Sequence, residues 1–178
     1  MRIEEEIKLD YSDVLFRPKR STLKSRKDVD LNRKYTFKYS KFTWKGTPII
    51  ASNMDGVGEI GVAKKLTLHK VMTALTKQHN IKEIETIYKN SDIHKSVALS
   101  CGTSSDSYNR LNKILKKFPK FEFICIDVAN GYSENFSHFV SNVRKKYPNK
   151  TIIAGNVVTA DMTQELILSG ADIVKVGI

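Results

Sequence analysis

The chain has 178 residues, 40% of them hydrophobic and 28% charged, with 30 Lys and Arg against 19 Asp and Glu for a formal net charge of +11. That balance suits a single globular domain and excludes a disordered or fibrous chain. No apolar run reaches the length of a membrane span, and the start MRIEEEIKLD is too acidic for a secretory leader. The cytosol is therefore the default location.

In chain order, the first feature is a basic run, RPKRSTLKSRK at residues 17–27. A positive excess favours anionic partners, although a solvated charge run is the commoner meaning of such a segment. No RNP aromatics or zinc spacing accompany it, so nucleic acid is the minority reading. YTFKYSKFTW, residues 35–44, predicts a small hairpin.

From residue 47 the sequence alternates short apolar runs with helical patterns. The runs TPIIAS (47–52), VMTAL (71–75), SVALSC (96–101), FEFICIDV (121–128), KTIIAG (150–155) and ADIVKVGI (171–178) predict six strands. Between them, Ile81, Ile84, Ile87 and Tyr88 keep helical spacing, as do Leu111, Ile114, Leu115 and Phe118, and then Phe136, Phe139, Val140 and Val143. Ser133 and Thr159 suit N-caps through their hydroxyls, and Gly170 suits a left-handed helix end. Nearly continuous apolar strands separated by helices imply a parallel sheet covered by helices, in a doubly wound sheet or a (β/α)8 barrel. Cys101 and Cys125 each sit inside a strand run and read as buried thiols, with no disulfide framework.

In such folds ligands meet the C-terminal strand ends. Those ends carry Ser52, Asn53, Met54 and Asp55; Lys77, Gln78 and His79; Gly102 and hydroxyls; Asp127, Asn130 and Gly131; and Gly155 with Asn156. Lys77 is the most telling, because an ammonium directly after an apolar strand needs an anion, a carboxylate or water. Asp127 could accept from a ligand or cap its own turn. His79 is as readily an ordinary surface residue as an acid or base. No GxGxxG, no P-loop and no metal-ligand spacing is present.

The segments DVLFRPKRSTLKSR, PIIASNMDGVG, CIDVANGYSE and AGNVVTADMTQELILSGADIVKVGI occur in this order along the whole chain. Together they resemble the GMP reductases, a family that shares one barrel superfamily with IMP dehydrogenase. TKQHNIKEIETIYKN runs directly to the third strand, where the dehydrogenases usually insert CBS modules, and this favours the reductase. One loop departs from the family pattern, reading Met54-Asp55-Gly56-Val57-Gly58 where Thr is usual at the third place.

The resemblance implies a (β/α)8 TIM barrel of the IMP dehydrogenase/GMP reductase type, with six of its eight strands here plus an N-terminal hairpin extension. As one domain, residues 1–46 form the extension and hairpin, and residues 47–178 the first six β/α units. It implies reductive deamination, in which GMP and NADPH give IMP, ammonia and NADP⁺. The nucleophilic cysteine is expected beyond Ile178, so the chain carries no catalytic residue and is expected to be inactive alone. Ser25, Arg26, Lys77, Asp127, Val128, Ala129, Asn130 and Gly131 resemble cofactor-side residues, with Ser25 and Arg26 reaching the cofactor of a neighbouring subunit. Ser52, Met54 and Asn156 resemble substrate-side residues. A homotetramer is implied, as is potassium or another monovalent cation whose site lies beyond this chain. The alternatives are an IMP dehydrogenase lacking CBS modules, and a non-catalytic half-barrel that binds phosphorylated ligands or nucleic acid.

Overall fold

Near-continuous apolar runs between Ile50 and Val176 build one parallel sheet in a computed structural model that describes residues 5, 7, 9–89 and 92–177. The chain forms two compact units, Met1–Asp30 and Leu31–Ile178. The first contains two short 3₁₀ turns, Tyr11–Asp13 and Arg26–Asp28, each closed by a capping box.

In the second unit, the strands β1 (Arg33–Thr36) and β2 (Thr43–Gly46) pair antiparallel as the expected hairpin. Six parallel strands follow in sequence order: β3 (Ile50–Ala51), β4 (Met72–Leu75), β5 (Val97–Cys101), β6 (Phe123–Asp127), β7 (Thr151–Val157) and β8 (Ile173–Val176). All six expected strands are present. The helices are α1 (Ile60–Leu68), α2 (Ile81–Tyr88), α3 (Ser105–Lys117), α4 (Glu134–Lys146) and α5 (Ala160–Leu168). A curled sheet in strictly sequential order, with a helix between each strand and the next, is the arrangement of consecutive β/α units of a (β/α)8 barrel.

Local sequence explains the helix ends. Asn80 and Glu83 form a reciprocal capping box on α2, and the Thr159 hydroxyl accepts from the Met162 amide. Ser133 occupies the N-cap position of α4, but its hydroxyl makes no capping hydrogen bond, so that expectation fails in its chemistry. Basic last turns, Lys116 and Lys117 in α3 and Arg144 to Lys146 in α4, complement the helix dipoles.

The sheet separates two cores. Leu75, Leu99, Cys101, Ile124, Ile126, Ile152 and Ala154 face the helices and meet Ile84, Leu111, Ile114, Phe136, Val140 and Leu166. Met72, Ala74, Ala98, Phe123, Cys125 and Ile153 face the concave side, where Trp44, Phe37 and Phe42 of the hairpin region pack against them. Phe37 and Phe42 both meet the Phe123 ring edge-on, with centroids 5.7 and 5.6 Å away. The hairpin thus fills the concave side at the strand starts and leaves the strand ends to polar residues.

Candidate functional site

Strand periodicity carries two charged side chains onto the concave face. Phe123, Cys125 and Asp127 share a face of β6, and Ile173 and Lys175 share one of β8, so the apolar interior becomes polar toward the strand ends. There Lys175 Nζ pairs with the Asp127 carboxylate and donates to Asn53 Oδ1 at 3.1 Å. Lys175 lies across from Gly155 in the β7–β8 register. A Cβ at residue 155 would fall 2.6 Å from the Lys175 Cβ, which is why a glycine stands at that position.

Lys77, at the end of β4, approaches Asp127 from the other side. Its Nζ donates to the Asp127 carbonyl at 3.4 Å and lies 3.8 Å from Oδ2, while its side chain is 45% exposed. It is a rim lysine facing a carboxylate, with donor capacity left over. Partial burial pushes the Asp127 carboxyl pKa up. Hydrogen bonds from Lys175 and Asn53, and the charges of Lys175 and Lys77, more than offset this and hold it below the ordinary carboxylate value. Asp127 is therefore an ionised acceptor between two cations, and not the turn cap that its position also allowed.

The β6–β7 pairing continues past the strand ends. Val128 N donates to Gly155 O, Asn156 N to Val128 O, and Gly131 N to Asn156 O, each at 2.9 Å. This ladder fixes Asn156 beside the Asp127–Gly131 loop. The Asn156 Oδ1 atom is buried and has no hydrogen-bond partner among the described residues. Asn130 Oδ1 accepts from Tyr132 N at 3.0 Å and so shapes its own turn, and Ala129 is exposed on the same loop.

Ser52 and Met54 follow β3 and are exposed. Among the described residues no side-chain hydrogen bond ties either one to the Lys77–Asp127 pair. Gly56, where the family pattern has Thr, adopts φ +76°, a left-handed turn conformation that glycine takes without steric cost. Ser25 and Arg26 belong to the other unit, where the Ser25 hydroxyl accepts from Lys27 N at 3.2 Å as a cap.

Sequence reading missed Lys175. The available signal was one charged residue inside an otherwise apolar strand run, in the place where an unpaired ammonium would be most costly. His79 also differs from expectation: it is buried and held by the neighbouring loops. The two cysteines are buried as expected. Burial pushes the Cys101 thiol up to about 12 and the Cys125 thiol up to about 11, so both stay protonated and inert near neutrality.

Over residues 8–178 the sequence matches the family described as IMP dehydrogenase / GMP reductase domain. It is 55% identical over 180 residues to the GMP reductase of Klebsiella pneumoniae subsp. pneumoniae, a match that covers all of this chain and 52% of that one. Against the GMP reductase of Shigella boydii serotype 4 the identity is 54%, with the same coverage. The crystal structure of inosine 5′-monophosphate dehydrogenase from Legionella pneumophila is similar with a TM-score of 0.76 at 26% identity, over 94% of this chain and 50% of that one. The chain spans about half the length of the curated relatives it matches.

Proposed function

The chain belongs to the IMP dehydrogenase / GMP reductase domain family, and from that premise we propose that it forms part of a cytoplasmic GMP reductase. In that reading the intact enzyme converts GMP and NADPH to IMP, ammonia and NADP⁺, and works as a homotetramer. Identity of 54 to 55% to proteins named GMP reductase, against 26% to an IMP dehydrogenase, supports the reductase over the dehydrogenase.

The donor set fits a dinucleotide and a purine nucleotide. Lys77 offers an exposed ammonium to a carbonyl or phosphate oxygen, Asp127 offers an ionised acceptor, and the partnerless Asn156 Oδ1 awaits an N–H. Lys77, Asp127, Val128, Ala129, Asn130 and Gly131 would hold the cofactor. Ser25 and Arg26 would hold cofactor bound to a neighbouring subunit, and Ser52, Met54 and Asn156 would hold the nucleotide. When bound, NADPH supplies the hydride. The residues of this chain orient and neutralise. Lys175 keeps Asp127 charged and fixed in place, which frees Lys77 to meet a ligand. Neither Cys101 nor Cys125 serves as the nucleophile, because both are buried and protonated. The attacking thiolate comes from elsewhere in the intact enzyme.

The observation that carries this reading is the Lys77–Asp127–Lys175 cluster at the strand ends of a chain so similar to GMP reductases. The test follows NADPH absorbance. The intact enzyme should oxidise NADPH only when GMP is added, and the purified 178-residue chain should show no GMP-dependent turnover. NAD⁺ reduction with IMP, and no reaction with GMP, would replace the proposal with the dehydrogenase.

A further inference from the structure

The imidazole of His79 lies between the two loops that flank the site. Its Nε2 is 3.1 Å from Gly58 O and 3.4 Å from Glu59 Oε2, and its Nδ1 is 3.4 Å from Glu83 Oε2. The side chain is only 10% exposed. Gly58 closes the loop after β3 that carries Ser52, Asn53 and Met54, while His79 itself closes the loop after β4 that carries Lys77. The Gly58 carbonyl accepts a second bond from the same β4 loop, from Thr76 N at 2.9 Å.

Two further contacts, and a cap bond that is not made, commit these groups to each other. Glu59 stands at the N-cap of α1 but makes no capping hydrogen bond, so its carboxylate faces His79 rather than its own helix amides. Glu83 bonds the Asn80 amide at 2.8 Å in the α2 capping box, and so holds the other side of the ring to that helix start. From α3, the Arg110 guanidinium donates to the His79 carbonyl. Each partner of the ring is an acceptor. Nε2–H can donate to Gly58 O, while the Glu83 carboxylate faces Nδ1.

The geometry points to His79 as a positioning residue that clamps the substrate-side loop, residues 52–58, to the cofactor-side loop, residues 76–79, and so sets the spacing between Asn53 and Lys77. This rests on the proposed reductase reading for its kinetic consequence, but not for the clamp itself. Displacement of reacting groups by about an ångström can cost on the order of 100-fold in rate, so even a partial loosening is measurable.

The experiment compares His79→Ala and His79→Gln in the intact enzyme, because the glutamine amide can still donate to Gly58 O. Amide hydrogen exchange of residues 54–59 and 76 reads the clamp, and kcat and KM for GMP read its effect. His79→Ala should speed exchange of those amides at least roughly tenfold, leave β7 unchanged, and lower kcat roughly tenfold with KM moved less than about threefold. His79→Gln should restore both. Unchanged exchange in His79→Ala overturns the clamp, whatever the substrate proves to be. Faster exchange with unaltered kcat overturns the positioning role. Absence of GMP reduction in the unsubstituted enzyme defeats the reductase reading alone, because the exchange result still decides the clamp.

Discussion

Two carboxylates at opposite ends of the same sheet, Asp172 and Asp127, each meet a cation and yet differ in burial and in what their partners leave open. Asp172, just before β8, has a fully buried side chain whose oxygens receive Arg144 Nη2 at 2.6 Å, Tyr39 N at 2.8 Å, Ile152 N at 3.1 Å and Ser40 N at 3.5 Å. Arg144 in turn donates to the carbonyls of Gly170, Tyr147, Pro148 and Lys150. Both carboxylate oxygens and all three guanidinium nitrogens are engaged within the protein, and the carboxylate has no exposed surface to offer a ligand. The network joins the hairpin region, α4, β7 and β8. Asp127, at the end of β6, meets two lysines, of which Lys77 is half exposed and loosely held. Saturation and burial, more than the presence of an ion pair, separate a structural network from a binding one.

The largest effect is expected at the buried end. Asp172→Ala removes the carboxylate partner of the Arg144 guanidinium and of three backbone amides, so it should cost about 3–5 kcal/mol, read as a lower urea midpoint. The folded fraction should keep its nucleotide affinity. A loss below about 1 kcal/mol would erase the contrast between the two ends.

Lys175→Met comes next, since it removes the closer partner of Asp127 in a part-buried place. Stability should fall by about 1–3 kcal/mol, and kcat/KM for NADPH in the intact enzyme by roughly tenfold or more. If its stability loss matched that of Asp172→Ala with normal kinetics, the polar end would be structural as well.

Lys77→Ala sharpens the distinction, because a rim lysine supports no core. Stability should move less than about 0.5 kcal/mol, while kcat/KM for NADPH falls roughly tenfold. Lys82→Ala, on the exposed face of α2, is the silent control. Equal and negligible effects from both would remove Lys77 from the site.

Acid titration gives a smaller effect of defined sign. The Asp127 pKa is lowered from an ordinary value of 3.8, so its contribution to stability is complete above that value. It is lost as pH falls through the lower folded value. Asp127→Asn should therefore flatten the stability profile below pH about 4 and leave its slope near neutrality unchanged. The smallest signal concerns the thiols: with pKa values raised to about 12 and 11, Cys101 and Cys125 should resist iodoacetamide at pH 8 in the folded protein and react once it is unfolded. Rapid labelling of folded protein would contradict their burial.

The sequence by itself determined the order and type of the elements, because 3.6-residue and near-continuous apolar patterns are local signals that burial imposes on every helix and strand. It also placed Lys77, Asp127 and Asn156 at the strand ends, since chain order alone defines where a strand stops. It could not say which way β8 faces. In a strand covered on both sides the alternation between polar and apolar vanishes, so Ile173 and Lys175 carry no label for the concave side. Only the tertiary structure brought Lys175 to Asp127, which is 48 residues away, and Arg144 to Asp172, 28 residues away. His79 shows the same limit at shorter range: a polar residue in a rim loop reads as solvated until packing sets a carbonyl and two carboxylates around its ring. Partners of that kind are chosen by sheet register and helix packing, which are properties of the whole fold and of no single segment.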